Sequence, residues 1–395
     1  MLQQLINHSP DIKKLLDDGY DLEVIGGHLL VHQIPYVDSN RDIKYGTLVT
    51  VLTYATTTKV GLPQDHTIYF IGETPGDKDG KPLTAIINNS NNQQLTEKIL
   101  INHYFSSKPK SGNYIDYYEK IRTYAAILLS HAQAIDDTVT ARPGQLKTIE
   151  SGSDVFMYPD TNSARGKIEY LNRKFRNLKI GIIGMGGTGA YILDLVSKTR
   201  VKEIHIFDKD IFQIHNAFRA PGTIPIGKLD EGVELRKVNY YAEIYSRMHR
   251  GIVPHDEYVT KENIHELSDF DFVFISVDTN EARHIITNAL LGIGVTFIDA
   301  GLGVNLVDDS LLGTLRITTG SNTKHDHLKN RIGGIELYEN EYSTNIQIAD
   351  LNCLSATLAV IKWKKLISFY QDLKQEHNTL YFINTGKIIN EDFTA

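Results

Sequence analysis

Glycines at 184, 186, 187 and 189, an aspartate at 208 and an arginine at 219 share the single stretch Lys179 to Arg219. Together these residue types suit the binding of a phosphorylated nucleotide. The glycines follow a short β-branched run, Lys179 to Ile183, and lead into Ala190 to Leu195, where apolar residues recur at helical spacing. The pattern predicts strand, tight turn and helix. Glycine lets the backbone take a positive φ and come close to a ligand. The helix start then offers unpaired N–H groups and the positive end of its dipole to an anion, worth about 0.3–1 kcal/mol when exposed and up to about 2 when partly buried. Phosphate is the expected guest. Asp208 ends the next predicted strand, Glu203 to Phe207, about 20 residues past the last glycine, where dinucleotide folds place an acid on the ribose hydroxyls. Spacing alone leaves open which nucleotide binds.

Elements that could position these groups are legible on both sides. Downstream, a helix over Leu235 to Arg247, a very apolar strand over Phe270 to Ser276, a helix over Glu281 to Leu291 and a strand over Val295 to Ala300 alternate. Such alternation predicts a largely parallel sheet covered on both faces, an α/β class. Gly301 to Ile317 is read as antiparallel strands, and Gly320 to Asn345 as polar and irregular. The last helix, Ala349 to Tyr370, is apolar on two sides and is expected in the core or in a dimer seam. Upstream, HLLVHQIPYV, GTLVTVLTYA and HTIYFIGE read as strands, residues 87–112 are polar and Asn-rich, and Tyr114 to Ile135 reads as a helix. The expected organisation is a smaller α+β domain over 1–150, a linker and charged helix over 151–175, and an α/β domain over 176–395 with a mixed, mainly parallel sheet.

Composition bounds the function. A 395-residue chain with net charge −7 has no global basic field to recruit nucleic acid or an anionic membrane. No apolar run approaches the roughly 20 residues that span a bilayer, and the opening MLQQLINHSPDIKKLLDDGYDLEV has neither a secretory nor a transit pattern, so the expected location is cytoplasmic. The single cysteine, Cys353, excludes an intrachain disulfide and a Cys-x-x-Cys zinc site. His66 and His103 have no nucleophile or metal partner at a recognisable spacing. Tyr114, Tyr117, Tyr118 and Tyr124 read as helix packing or a partner-facing surface.

The run Asp208-Lys-Asp210-Ile-Phe-Gln-Ile-His-Asn216-Ala-Phe-Arg219 resembles the motif of the ThiF/MoeB and ubiquitin-activating enzyme superfamily, in which Asp-x-Asp precedes Asn-Leu-x-Arg. The resemblance continues in order through Lys237, which opens KVNYYAEIYSR, through Val277-Asp278-Thr-Asn280-Glu-Ala-Arg283, through Ala300-Gly301-Leu302-Gly303, and through NCLSATLAVIKWKKL. It covers residues 175–370. The resemblance implies a Rossmann-like ThiF adenylation domain that binds ATP and Mg²⁺, activates the C-terminal carboxylate of a ubiquitin-like or sulfur-carrier protein, works as a homodimer, and serves a bacterial conjugation pathway with a possible conjugating enzyme. It assigns Gly184, Gly186, Gly187, Gly189, Arg219 and Lys237 to the phosphates, Asp208 of the Asp208/Asp210 pair to the ribose, and Asp278 to Mg²⁺. Asn216 would contact phosphate or hold Arg219.

The chain departs from the family pattern in places. Ala220 stands where relatives usually carry Gln, and Gly227-Lys228 also matches the start of the family's Gly-Lys-Pro-Lys pattern, which makes Lys228 the alternate ATP lysine. Ubiquitin-activating relatives pass the acyl group to a cysteine between the Asp278 region and the late helix, yet Gly301 to Asp350 contains none. Cys353 reads as a packing residue. Two routes remain: direct transfer to an outside nucleophile, or an oxyester on the loop Thr318-Thr319-Gly-Ser321-Asn-Thr323 with His325 or His327 as base. A nicotinamide-dependent oxidoreductase would use the glycine turn and Asp208 but leaves Asn216, Arg219 and Lys237 without a role. A catalytically silent scaffold, with residues 1–150 as a recruitment module, is the rival from another class.

Overall fold

The computed structural model describes residues 5–6, 8–144, 155–158, 160–166, 168–230, 234–332 and 346–394. The chain divides into two compact units, Met1–Asp154 with Tyr158–Asn172, and Val155–Met157 with Arg173–Ala395. No described helix is long and apolar enough to cross a membrane.

The first unit begins with helix α1 (Pro10–Asp17), followed by β1 (Asp21–Ile25), β2 (His28–Val37), β3 (Ile43–Val51), β4 (Thr67–Ile71), β5 (Ile87–Asn89), β6 (Gln93–Thr96), β7 (Ile99–Ile101) and β8 (His103–Ser106), and then α2 (Tyr117–Gln133). Six strands form an antiparallel sheet in the order β1-β2-β3-β4-β8-β5. Alternation buries Leu29, Val31, Leu48, Ile68, Phe70 and Phe105 on one face, against Ile121, Tyr124 and Leu128 of α2. The β6–β7 hairpin closes the other face, packing Leu95, Ile99 and Ile101 on Leu30, Val49 and Tyr69. The Asn-rich segment thus holds short strands that its polar composition concealed. The tyrosines of α2 pack with their hydroxyls satisfied: Tyr117 donates to the Val51 carbonyl at 2.9 Å, and Tyr124 to that of His66. His66 and His103 bond Ser106 and Ser90 at 3.2 and 2.9 Å.

In place of the expected charged helix before the glycines there is a short helix, Thr161–Gly166, and a 3₁₀ turn, Glu169–Lys174. The second unit then runs β9 (Lys179–Ile183), α3 (Gly187–Val196), β10 (Glu203–Phe207), α4 (Lys237–Tyr245), β11 (Ile252–His255), β12 (Phe272–Ile275), α5 (Asn280–Ile293), β13 (Thr296–Val307), β14 (Ser310–Gly320), α6 (Ala349–Leu366), β15 (Asn378–Phe382) and β16 (Lys387–Glu391). Its eight strands lie in the order β11-β10-β9-β12-β13-β14-β15-β16. The pairings from β11 to β13 are parallel and those from β13 to β16 antiparallel, so the sheet is mixed and mainly parallel. Strands β11, β15 and β16 are short edge or near-edge elements that the pattern of apolar residues did not signal. The late helix α6 stops at Leu366 and lies in the core, where Ala356, Ala359 and Trp363 are fully buried among Ile180, Ile182, Phe274 and Ile298.

The order of the strands decides where a ligand goes. From β9 the chain winds through β10 to β11 on one side, then crosses to β12 and β13 on the other. Ligands of open α/β sheets bind at that reversal, outside the carboxyl ends of the strands. Here the carboxyl ends are Gly184 after β9 and Ser276 after β12, tied by a Ser276 Oγ hydrogen bond to the Gly184 carbonyl at 2.8 Å.

Candidate active site

The glycine turn is built by steric necessity. Gly184 sits at φ +90°, and a methyl there would lie 2.8 Å from the Ser276 carbonyl oxygen. A methyl at Gly189 would lie 1.9 Å from the Gly184 oxygen, and one at Gly187 only 2.0 Å from Asn352 Nδ2. Gly186 differs: no protein atom lies within 4 Å of where its methyl would be, so the turn is open at this residue alone among the four. Gly186 is also the N-cap of α3, with no side-chain cap, which leaves the first-turn N–H groups facing outward.

Asp208, 6 % exposed, anchors the turn from below. Its Oδ2 accepts the Met185 N–H at 2.7 Å and its Oδ1 accepts that of Asp210 at 2.7 Å. The chain after β10 pairs with the segment before α4: Phe212 N–H donates to Leu235 O at 2.6 Å and Lys237 N–H to Asp210 O at 3.0 Å. This pairing delivers Lys237. Its ammonium is buried and lies 2.6 Å from Asp210 Oδ2 and 3.6 Å from Asp208 Oδ2. Burial works to raise the Asp210 carboxyl, but hydrogen bonds from Lys237 and Tyr258 hold it below the usual carboxylate range. In return the bond to Asp210, with burial behind it, pushes the Tyr258 phenol up to about 12. The alternate lysine is elsewhere engaged: Lys228, on the short helix Ile226–Asp230, pairs with Glu243 at 2.8 Å on the surface of α4.

Asn216 holds Arg219 through the main chain. Its Oδ1 accepts the Gln213 N–H at 2.8 Å, completing a capping box, and its carbonyl accepts the Arg219 N–H at 3.1 Å. The Arg219 Nε is buried with no hydrogen-bond partner among the described residues. Across the crevice, Asp278 is exposed and lines a cleft of about 360 Å³ with Thr188, Asn280, Arg283 and Asn352. Thr279, not Asp278, caps α5 and accepts from the Ala282 N–H, so the Asp278 carboxylate is not used as a helix cap. Arg283 fastens this turn: it donates to the Val277 carbonyl at 2.6 Å and to Asp299 Oδ1 at 2.6 Å. Asp299, fully buried, takes a second arginine, Arg316, on Oδ2 at 2.6 Å.

Sequence reasoning missed Asn352 and Asp299. No local signal marks either, because each earns its partners only when α6 or β13 packs into place. The hydroxyl loop with its histidines is a correction. The register sets Phe297 opposite Gly320 and Asp299 opposite Thr318, so the chain past Thr318 runs back toward the start of β13, away from the glycine turn. There Ser321 and Thr323 bond one another at 3.0 Å, and His325 and His327 bond main-chain oxygens of Ser321 and Thr319 rather than a hydroxyl of the loop. Cys353 is half-buried on α6.

Residues 10–161 match a domain of unknown function, DUF6791, and residues 164–305 match the ThiF family. Ubiquitin-like modifier-activating enzyme 5 of Xenopus laevis is 24 % identical over 145 residues, and that of Mus musculus 25 % over 146, in each case 34 % of this chain. The matches span 36 % of those relatives' length. Among solved structures, E. coli MccB with MccA-N7isoASN is 15 % identical, with TM-score 0.48 over 58 % of this chain and 71 % of that one. E. coli MccB with ATP is 16 % identical, with TM-score 0.44 over 56 % and 65 %. Residues 164–305 of this chain therefore match the ThiF family and follow in sequence the stretch that matches DUF6791.

Proposed function

We propose that the chain uses ATP to adenylate the C-terminal carboxylate of a ubiquitin-like or sulfur-carrier protein and releases pyrophosphate. One observation carries the reading: an arginine nitrogen, Arg219 Nε, buried without a partner among the described residues, on a loop whose backbone touches the glycine turn. A buried N–H left unpaired costs about 1–3 kcal/mol, which a bound phosphate oxygen would recover. Open space at Gly186 and the free N–H groups of α3 fit a polyphosphate.

In this reading a carboxylate oxygen of the carrier attacks the α-phosphorus of ATP. The new O–P bond forms as the bond to the α–β bridging oxygen breaks, and pyrophosphate leaves with the electron pair. Two anions meet and charge grows on the phosphates, so cations and aimed N–H groups lower the barrier. Arg219 and the turn N–H groups meet the phosphates. Lys237 exchanges Asp210 for a phosphate oxygen while Asp208, freed of its contact with Lys237, keeps the turn in place and faces the ribose. Among the described residues no three acidic, His or Cys groups gather to hold a metal. That suits Mg²⁺, which takes one or two carboxylates and fills its shell with phosphate oxygens and water. Asp278 would be that carboxylate, and the ion would neutralise phosphate charge. In this reading the adenylate then passes directly to an outside nucleophile, a route supported by the course of the hydroxyl loop away from the glycine turn. The working form in this reading is a cytoplasmic homodimer in a bacterial ubiquitin-like conjugation pathway, with residues 1–150 recruiting the carrier or a conjugating enzyme.

ATP–pyrophosphate exchange with candidate carriers tests the proposal. Arg219→Ala and Asp278→Ala should each lose at least ~10²-fold, the scale of one transition-state stabiliser. Wild-type exchange in both variants would sink the site assignment. NAD(H) binding without ATP binding would mean an oxidoreductase, and ATP binding without carrier-dependent turnover a scaffold.

A further inference from the structure

We propose that Asn352 is a positioning residue that sets Arg219 against the glycine turn, an inference that rests on the adenylation reading. Asn352 is 1 % exposed, on α6 where it faces α3. Its Oδ1 accepts from Thr188 Oγ1 at 3.1 Å, and its Nδ2 donates to the Arg219 carbonyl at 3.2 Å. A methyl at Gly187 would strike the same amide nitrogen at 2.0 Å and the Arg219 oxygen at 2.7 Å. One side chain thus joins two elements that arrive separately, the turn after β9 and the loop after β10.

An apolar side chain would fill a helix seam without desolvating an amide, so packing alone does not account for asparagine here. Its hydrogen bonds do. Arg219 is held at both main-chain groups, its N–H by Asn216 and its carbonyl by Asn352, while its Nε is kept buried and unspent. Because the side chain carries no protein contact that would aim it through Nε, the position of its backbone decides where the guanidinium can reach. A displacement of about 1 Å at such a group can cost about 10²-fold in rate. Gly187 is required for the same reason: it is the one residue that lets Asn352 come this near.

Asn352→Asp tests the idea with almost no change of shape. It keeps the acceptor for Thr188 but turns an oxygen toward the Arg219 carbonyl. The measurements are ATP–pyrophosphate exchange, ATP binding by calorimetry and thermal melting, in wild type, Asn352→Asp, Arg219→Ala and the double variant. Exchange should fall at least about tenfold in Asn352→Asp, and the double variant should be no worse than Arg219→Ala. Losses that multiply would show that Asn352 acts on something other than Arg219 and would overturn the inference, as would wild-type exchange in Asn352→Asp. Hydrogen–deuterium exchange without substrate separates this inference from the adenylation reading. Faster exchange across Asn216 to Ala220 in Asn352→Asp, with β9 still protected, supports positioning even if wild type neither binds ATP nor turns over, a result that would sink the adenylation reading alone. Unchanged protection of that loop overturns positioning whatever the activity.

Discussion

Gly186→Ala separates what the glycine turn does for the fold from what it does for a ligand. The backbone at Gly186 has φ −73° and ψ −159°, which alanine adopts, and its methyl would meet no protein atom within 4 Å. Folding stability should therefore stay within about 0.5 kcal/mol of wild type. If a phosphate sits at the turn, that methyl enters the volume the ligand needs. Overpacking of this kind costs about 1–3 kcal/mol, which weakens ATP binding roughly 5- to 150-fold. Gly189→Ala is the contrasting variant, because its methyl would lie 1.9 Å from a backbone oxygen and 2.7 Å from Ser276 Oγ. No flexible atom can yield there, so stability itself should fall by about 1–3 kcal/mol or more. Urea melts give the first quantity, and calorimetric titration with ATP or a non-hydrolysable analogue the second. Wild-type ATP affinity in Gly186→Ala would refute a phosphate at this turn, and a stability loss equal to that of Gly189→Ala would refute its openness.

Other outcomes are as specific. Lys237→Met should lower pyrophosphate exchange at least ~10²-fold, whereas Lys228→Ala should change it less than about twofold because its surface pair with Glu243 is worth at most about 1 kcal/mol; the opposite ranking would exchange the two lysines. Asp299→Asn leaves two buried guanidinium groups without their carboxylate and should cost about 3–5 kcal/mol in a denaturation experiment, and a loss below 1 would mean that Arg283 and Arg316 are compensated otherwise. Burial pushes the His377 imidazole down to about 4 from its ordinary value of 6.5. Between those values the unfolded chain takes up a proton that the folded chain refuses, so stability is complete above about pH 6.5 and declines toward pH 4, by roughly 3 kcal/mol in all. His377→Asn should flatten that decline in urea melts at pH 7.5 and 4.5, and an unchanged slope would assign the effect to other groups.

What the sequence determined is local. Strand, glycine turn, helix and a following strand ending in Asp208 lie close together in the chain, and their conformations are dictated by β-branched residues, by glycine and by helical spacing. Arg219 and Asp278 are singled out only by their resemblance to the ThiF/MoeB pattern, which local conformation does not supply. The tertiary structure decided the rest. The sequence favours Lys237 and keeps Lys228 as its alternate, and it is the pairing of Ile211 with Arg236 that brings Lys237 to Asp208 and Asp210. The hydroxyl loop looked available until the register of β13 on β14 turned it away from the glycines. Asn352 had no signature at all, since its partners Thr188 and Arg219 lie 164 and 133 residues away and meet it only when α6 packs on α3. Short-range preferences set the conformation of a segment, but hydrogen bonds between distant segments form only when burial brings them together, and no local spacing encodes that.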